Sequence, residues 1–168
     1  MNIVNSIEIN APLRAAWQIL GEEFGEVSDW PEPVVASSLD GPLDQGVTRI
    51  CNIKATGPFP AGKITETLSE FNREEKTLTY VVASGRPPFL EHLQNRWVLE
   101  ARGDAASVAK STISYRVKWW AVPFAPLVAV MLKRATKPIF TQFQDAVQLR
   151  HHSRRPVQRR ALTHVQMA

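Results

Sequence analysis

The sequence predicts an α+β fold in which a curved antiparallel sheet of about seven strands closes around a long helix at the carboxyl end. Three observations predict it. One strand and one helix come first, six segments of strand character follow, and apolar residues at helical spacing fill residues 124–150. The connections between the strand segments are short and rich in Gly, Pro and Asn, which favours antiparallel hairpins. We expect a space between sheet and helix that can hold a small molecule.

The first two elements follow from local pattern. Residues 3–10 alternate between apolar and polar side chains, which is typical of a half-buried strand. Asn10 can cap a helix, and Pro12 falls in its first turn, where the missing N–H costs nothing. Trp17 and Phe24 lie on one face of this predicted helix.

Six more segments alternate in the same way and are separated by turn residues. The pattern predicts strands at residues 34–39, 47–54, 63–71, 77–84, 91–102 and 107–119. We expect the second and third of these segments to form a hairpin through Gly57 and Pro58.

The carboxyl-terminal third of the chain changes to a helical period, which predicts a helix over about residues 124–150. Pro138 should kink this helix or divide it.

We interpret residues 1–150 as a single domain and residues 151–168 as a flexible basic tail. The chain has 20 Lys and Arg against 16 Asp and Glu, and four arginines of the tail account for the excess. A nucleic-acid-binding face is therefore not expected on the domain.

The cysteine content and the amino-terminal sequence bear on the cellular compartment. Cys51 is the only cysteine, so no intrachain disulfide can form, and the amino terminus shows no secretory pattern. These features predict a cytoplasmic protein.

The longest apolar run, residues 119–132, is too short to span a bilayer and contains two prolines, so we expect no membrane contact. An alternative uses this run as a membrane-touching lid for lipid exchange.

Two neighbouring strands place charge among inward apolar residues. Arg49 shares its face with Val47 and Cys51, and Glu66 shares its face with Ile64. If these strands pair, Arg49 and Glu66 become cross-strand neighbours. Because a buried charge is costly unless it is paired, we expect an ion pair inside a polar-lined cavity. The alternative is a different register that leaves one of them on the solvent rim.

The same alternation assigns each side chain of the remaining strands to an inner or an outer face. The apolar face of each strand must point toward the helices. Side chains predicted to face inward are Leu78, Tyr80, Val82, Leu93, Asn95, Trp97, Leu99, Ile113, Tyr115, Val117 and Trp119.

Several segments, taken in order, resemble the SRPBCC or START-like superfamily, and most closely its polyketide cyclase/dehydrase-like branch. The resemblance covers residues 3–150 and rests on IEINAPLRAAWQIL, SDWPEPV, GVTRICNI, GKITETLSEFNREEKTLTYVV and WVLEARGDAASVAKSTISYRV. Gly46, Arg49 and Glu66 match the G-x-x-R and E positions of the family pattern, and Trp17 matches its first tryptophan. The resemblance implies a helix-grip fold whose deep cavity binds a hydrophobic or aromatic small molecule without a cofactor.

Glu66, Arg49 and Tyr80 are the candidate catalytic residues. Glu66 could act as a general base, Arg49 as an oxyanion stabiliser and Tyr80 as a hydrogen-bond donor to a carbonyl. The alternative is a structural ion pair beside a tyrosine whose hydroxyl bonds the backbone. The chain is therefore either a cyclase, aromatase or dehydratase, or a non-catalytic carrier or sensor of a lipid or aromatic metabolite.

Aromatic and polar inward residues are the candidate ligand-binding side chains. They are Trp30, Cys51, Asn95, Trp97, Tyr115, Trp119, Phe124, Phe140 and Phe143. The histidines at positions 151 and 152 lack acidic or cysteine neighbours, so no metal site is expected. Whether the protein is a monomer or a homodimer stays open.

Overall fold

The computed structural model describes residues 1–55 and 61–153. In this part of the chain, seven strands form one antiparallel sheet in the order β1-β7-β6-β5-β4-β3-β2. The strands are β1 Asn2–Ile9, β2 Val34–Leu39, β3 Thr48–Ile53, β4 Gly62–Asn72, β5 Thr77–Ser84, β6 Leu90–Arg102 and β7 Ala106–Val117. Consecutive strands from β2 to β7 are neighbours, and β1 closes the order by pairing with β7.

Short helical segments connect β1 to β2. Helix α1, Leu13–Trp17, continues as a π-helical turn over Gln18–Glu22, and a 3₁₀ segment follows over Phe24–Asp29. Trp17 anchors this connection because its indole stacks on Phe71 of β4, with ring centroids 5.6 Å apart. The connection therefore lies over the concave face of the sheet, not beside it.

A long helix fills the concave face. Helix α2 runs over Ala125–Ser153 and follows a 3₁₀ segment, Trp119–Phe124. Register shifts in β4 next to Glu66 and between Leu68 and Glu70 are irregularities of the type that bend a strand. Sheet and helix together make the helix-grip fold that the resemblance implies.

The sequence predicts that Pro138 kinks the helix or divides it, and division is wrong, because α2 is a single helix that contains Pro138. A kink at Pro138 stays a prediction. Pro138 is exposed, so the one backbone hydrogen bond it removes lies where water can replace it. Residues 151–153 of the predicted tail are helical, and residues 154–168 lie outside the described residues. The predicted hairpin turn at Gly57 and Pro58 also lies outside them.

The apolar core has two clusters that meet α2 at different heights. One contains Trp17, Leu68 and Trp97 against the second half of α2, where Phe143 and Val147 are fully buried. The other joins the ends of β1, β6 and β7 to the first turns of α2, and its members are Ile3, Leu90, Ile113, Tyr115, Val117, Ala121, Ala125, Val128 and Leu132.

The predicted inward faces match the structure up to the end of β7. Trp119 is the exception, since its side chain is 86% exposed and the prediction that it faces inward is wrong. The reason is that β7 ends at Val117 and the chain turns into a 3₁₀ segment at Trp119, so strand alternation no longer sets the face. Phe124 lies in the same segment and is 60% exposed.

Candidate functional site

A cavity of about 530 Å³ lies between the concave face of the sheet, the connection after β1, and α2. Most of its lining is apolar, and its described apolar side chains include Ile19, Leu20, Phe24, Val27, Trp30, Ile64, Leu78, Val82, Leu93, Trp97, Ile113, Met131, Leu132, Ile139 and Phe140. The polar side chains of the lining are Glu23, Arg49, Cys51, Lys54, Lys63, Glu66, Tyr80, Arg86, Gln94, Asn95 and Thr136. Five of them, Arg49, Cys51, Glu66, Tyr80 and Asn95, are the polar candidates that the sequence predicts. A pocket of this size and character suits a small apolar molecule that carries few polar groups.

Arg49 and Glu66 form a largely buried ion pair at the cavity wall. They are direct partners in the β3–β4 register, as the strand parity predicts. Arg49 donates from Nε at 2.8 Å and from Nη2 at 2.6 Å, and both bonds end on Oε2 of Glu66. The side chains are 7% and 13% exposed, so each charge depends on the other for compensation.

Glu66 uses only one of its two carboxylate oxygens within the protein. The Cys51 thiol also lies on Oε2, at 3.7 Å, whereas no described residue donates a hydrogen bond to Oε1. Oε1 is also not one of the buried, unpartnered side-chain atoms of the described residues, which are Asn5 Nδ2 and Thr77 Oγ1. Oε1 is therefore open to the cavity and can accept a hydrogen bond from a ligand.

The guanidinium of Arg49 is held on three sides. Its Nη1 donates to the carbonyl of Phe24 at 2.8 Å, and its central carbon lies 3.9 Å from the centroid of the Phe24 ring and 5.2 Å from that of Tyr80. Burial opposes the charge, but the surrounding charges, with Glu66 the largest, outweigh it and raise the pKa of Arg49. Three of its five N–H donors are already used, so Arg49 mainly positions Glu66.

Cys51 lies beside this pair as a neutral thiol. Burial, reinforced by the Glu66 carboxylate, raises its pKa to about 12. Since the thiolate is the nucleophilic form of cysteine, Cys51 is unsuited to covalent catalysis near neutral pH.

A chain of hydrogen bonds orients the hydroxyl of Tyr80. Ser111 donates from Oγ to Asn95 Oδ1 at 2.6 Å, and Asn95 Nδ2 donates to the Tyr80 hydroxyl at 3.1 Å. Ser111 thereby fixes which end of the Asn95 amide meets Tyr80. Because the Tyr80 oxygen accepts from Asn95, its own O–H remains available to donate to a ligand.

Burial, with the Glu66 charge as the next cause, raises the pKa of Tyr80 above its ordinary value. The phenol is therefore neutral near neutral pH and keeps the proton that a donor needs. Tyr80 and Glu66 lie on adjacent strands, one diagonal step apart in the β4–β5 register, and both line the cavity. The site thus combines one open acceptor with one open donor.

The predicted aromatic residues fall into two groups. Trp30, Trp97 and Phe140 line the cavity, and the Trp97 and Phe140 rings stack with centroids 4.8 Å apart. Phe143 lies behind this wall, fully buried against Trp30 and Trp97 at centroid distances of 5.4 and 5.7 Å. Phe143 therefore supports the lining without belonging to it.

Three other candidates lie outside the cavity lining. Tyr115 is buried in the cluster at the start of α2, whereas Trp119 and Phe124 face solvent. Sequence reasoning also missed several lining residues, and one signal could have found some of them. Met131, Ala135 and Ile139 recur every four residues on one face of α2, and all line the cavity.

Comparison with known proteins places these features in a family. A family model described as "Polyketide cyclase / dehydrase and lipid transport" matches residues 1–150. The chain belongs to this family. Polyketide cyclase/dehydrase and lipid transport proteins typically hold hydrophobic small molecules, in agreement with the apolar cavity. No curated protein matches the chain.

Solved structures with the same fold include enzymes. A norcoclaurine synthase from Thalictrum flavum, in complex with dopamine and hydroxybenzaldehyde, is 17% identical with a TM-score of 0.71, covering 93% of this chain and 88% of its own. The Zhui aromatase/cyclase from Streptomyces sp. R1128 is 10% identical with a TM-score of 0.69, covering 89% and 94%. A START superfamily protein from Mycobacterium smegmatis is 12% identical with a TM-score of 0.67, covering 90% and 97%. At these identities the similarity shows the fold alone.

Proposed function

We propose that the protein binds an apolar, preferably aromatic, small molecule whose single hydroxyl group donates a hydrogen bond to Oε1 of Glu66. The observation that carries this proposal is the unequal use of the Glu66 carboxylate. Arg49 occupies Oε2 twice, whereas Oε1 faces a mainly apolar cavity and receives no hydrogen bond from a described residue. An O–H donor from a ligand would make a charge-assisted bond there, which is stronger than a bond between neutral groups.

The proposal also rests on the size and wall of the cavity. Its volume of about 530 Å³ is sufficient for a bicyclic aromatic molecule, and Trp97 with Phe140 offers stacked ring surface. Apolar contact would supply most of the binding free energy, and Glu66 would select among molecules of similar shape.

Two probes of nearly equal shape test the proposal. In a fluorescence or calorimetric titration, 2-naphthol should bind at least tenfold, about 1.4 kcal/mol, more tightly than naphthalene. Glu66→Gln should remove most of this preference and leave naphthalene affinity unchanged, because it removes the carboxylate charge and keeps the shape. Unchanged naphthalene affinity also reports that the variant retains its cavity.

Glu100→Gln is the matched control. Glu100 pairs with Lys110 on the exposed surface and is absent from the cavity lining, so its variant should bind both probes like the wild type. Equal affinities of the wild type for both probes, or no binding of either, would overturn the proposal.

A second candidate function, favoured by the open donor on Tyr80, is cofactor-independent enolisation, the step that precedes cyclisation or dehydration of a carbonyl compound. Glu66 Oε1 would take a proton from the carbon next to the carbonyl, and Tyr80 would donate a hydrogen bond to the developing enolate oxygen. Return of a proton to the same carbon completes the exchange without any other reactant. A carrier or sensor would bind the same compound and leave its protons in place.

Deuterium exchange separates the enzyme from the carrier. With 2-tetralone in D₂O, the enzyme should accelerate deuterium uptake beside the carbonyl, measured by mass spectrometry, and Glu66→Gln should abolish the acceleration. Tyr80→Phe should lower it by about 10²-fold, whereas Tyr115→Phe removes a hydroxyl away from the cavity and should change nothing. Binding of 2-tetralone without accelerated exchange would identify a carrier or sensor.

A further inference from the structure

The exposed surface at the start of α2 is unusually apolar. We call it the apolar patch, and it consists of Trp119, Trp120, Val122, Phe124, Leu127 and Val130, all exposed. These residues occupy consecutive 3₁₀ and α-helical turns, so their exposed side chains are concentrated in one short segment. Clustered exposed aromatic and aliphatic side chains mark an interaction site, whereas single ones do not.

The apolar patch is held in place from beneath. Ala121 and Ala125 are buried between its exposed members, and Val128 with Leu132 continues this buried face along α2. The segment is therefore folded against the body of the protein, and its exposed side chains extend from a rigid support.

Unpaired cations border the apolar patch. Lys118 precedes it, and Lys133, Arg134 and Lys137 follow it, all exposed. None of these four forms an ion pair with a described residue. The sequence also contains no acidic residue from position 105 to position 144.

Helical geometry places apolar and basic residues on the same side of α2. Leu127, Val130, Arg134 and Lys137 follow the spacing of three, four and three residues that keeps side chains on one helix face. That face is exposed, and the opposite face carries the buried residues of the core. The combination is typical of a helix that lies in the surface of a bilayer, with Trp and Phe at the boundary and basic residues beside them.

We propose that the protein docks through the apolar patch onto the surface of an anionic lipid bilayer. Trp119, Trp120 and Phe124 would enter the boundary between headgroups and acyl chains, and the four cations would contact the anionic headgroups. No helix in the described parts of the chain is long and apolar enough to cross a membrane, so this contact is peripheral. A second copy of the chain fits less well, because a two-fold interface would bring like charges together.

Vesicle binding tests the proposal on the full chain. The protein should float with vesicles of phosphatidylcholine mixed with phosphatidylglycerol and bind much more weakly to vesicles of phosphatidylcholine alone. Added salt should weaken the binding, because screening acts on the cationic contribution.

Two sets of variants, each with its own control, locate the contact. Trp119→Ala should lower the vesicle partition coefficient by about tenfold or more, whereas Leu149→Ala, which removes a 70% exposed apolar side chain near the other end of α2, should not. Arg134→Gln and Lys137→Gln should each lower it by about fivefold on the anionic vesicles only, whereas Arg14→Gln, on α1, should have no effect. All five side chains are exposed, so the variants should keep the thermal stability of the wild type.

Three results would overturn the proposal. The first is a wild-type protein that does not bind the anionic vesicles. The second is a loss of binding that is equal for Trp119→Ala and Leu149→Ala. The third is a dimer in sedimentation analysis that Trp119→Ala dissociates, which would assign the apolar patch to a second copy of the chain.

Discussion

Gly21 packs directly against the indole of Trp17. A Cβ atom at position 21 would lie 2.5 Å from Cε2 of that ring, far inside van der Waals contact. The contact occurs in the π-helical turn that also carries Ile19 and Leu20 into the cavity lining. The Trp17 ring is itself held by stacking on Phe71, so it cannot easily move away from an added Cβ atom. Position 21 therefore requires a residue without a side chain.

Gly21→Ala should destabilise the protein by about 2 kcal/mol, because the added methyl group overpacks a rigid site. Urea unfolding measures the change in the free energy of unfolding. Gly41→Ala is the matched control, since a Cβ there meets nothing within 4 Å. Equal stability of the two variants would show that the Trp17 ring can move aside.

Arg49→Met should destabilise the protein by about 3–5 kcal/mol, since it leaves the Glu66 charge uncompensated at the cavity wall. Arg96→Met, which breaks the exposed pair of Arg96 with Glu70, should cost about 1 kcal/mol or less. Denaturant titration compares the two. Adding Glu66→Leu to Arg49→Met should recover part of the loss, and failure to recover any would indicate that Arg49 acts by packing on Phe24.

Ser111→Ala should destabilise the protein by about 1–2 kcal/mol, because it leaves the buried Oδ1 of Asn95 without its donor. Ser114→Ala on the same strand is the control, with an expected change of about 0.5 kcal/mol or less. If both variants unfold at the same urea concentration, the hydrogen-bond chain to Tyr80 is not a source of stability.

Cys51 should make the protein less stable at alkaline pH. Its pKa rises from the ordinary 9.0 to about 12 on folding, so between these values the folded state holds a proton that the unfolded state has lost. Stability is complete below about pH 9 and falls as pH rises toward 12, by up to about 1.4 kcal/mol per pH unit. Urea unfolding of wild type and Cys51→Ala at several pH values measures the difference, and parallel pH profiles would contradict it.

The sequence carried enough information to predict the sheet and the ion pair. Alternation within residues 47–54 and 63–71 assigns Arg49 and Glu66 to the inner face, and the parity of a strand leaves no intermediate choice. The prediction failed at Trp119, two residues beyond the end of β7, because alternation has no meaning once the backbone leaves the strand.

The finer features of the site depend on three-dimensional detail that one sequence does not contain. Arg49 bonds only Oε2 of Glu66, and this choice depends on the side-chain conformations of both residues. The carbonyl of Phe24 also constrains the guanidinium, because it accepts a hydrogen bond from Nη1. The connection of Ser111 to Tyr80 through Asn95 crosses three strands, β7, β6 and β5, and depends on their exact offsets. Periodicity identifies the inner face but does not determine which polar groups on it meet.

Helix α2 contributes to both the cavity and the apolar patch. Met131, Ala135 and Ile139 line the cavity, and Leu127 and Val130 belong to the apolar patch. If docking tilts or shifts the first turns of this helix, the same motion reshapes the cavity wall. Thermodynamic reciprocity then sets a strict condition: the factor by which a bilayer changes the affinity for the small molecule equals the factor by which the small molecule changes the affinity for the bilayer. A loaded and an empty protein would in that case distribute differently between membrane and solution.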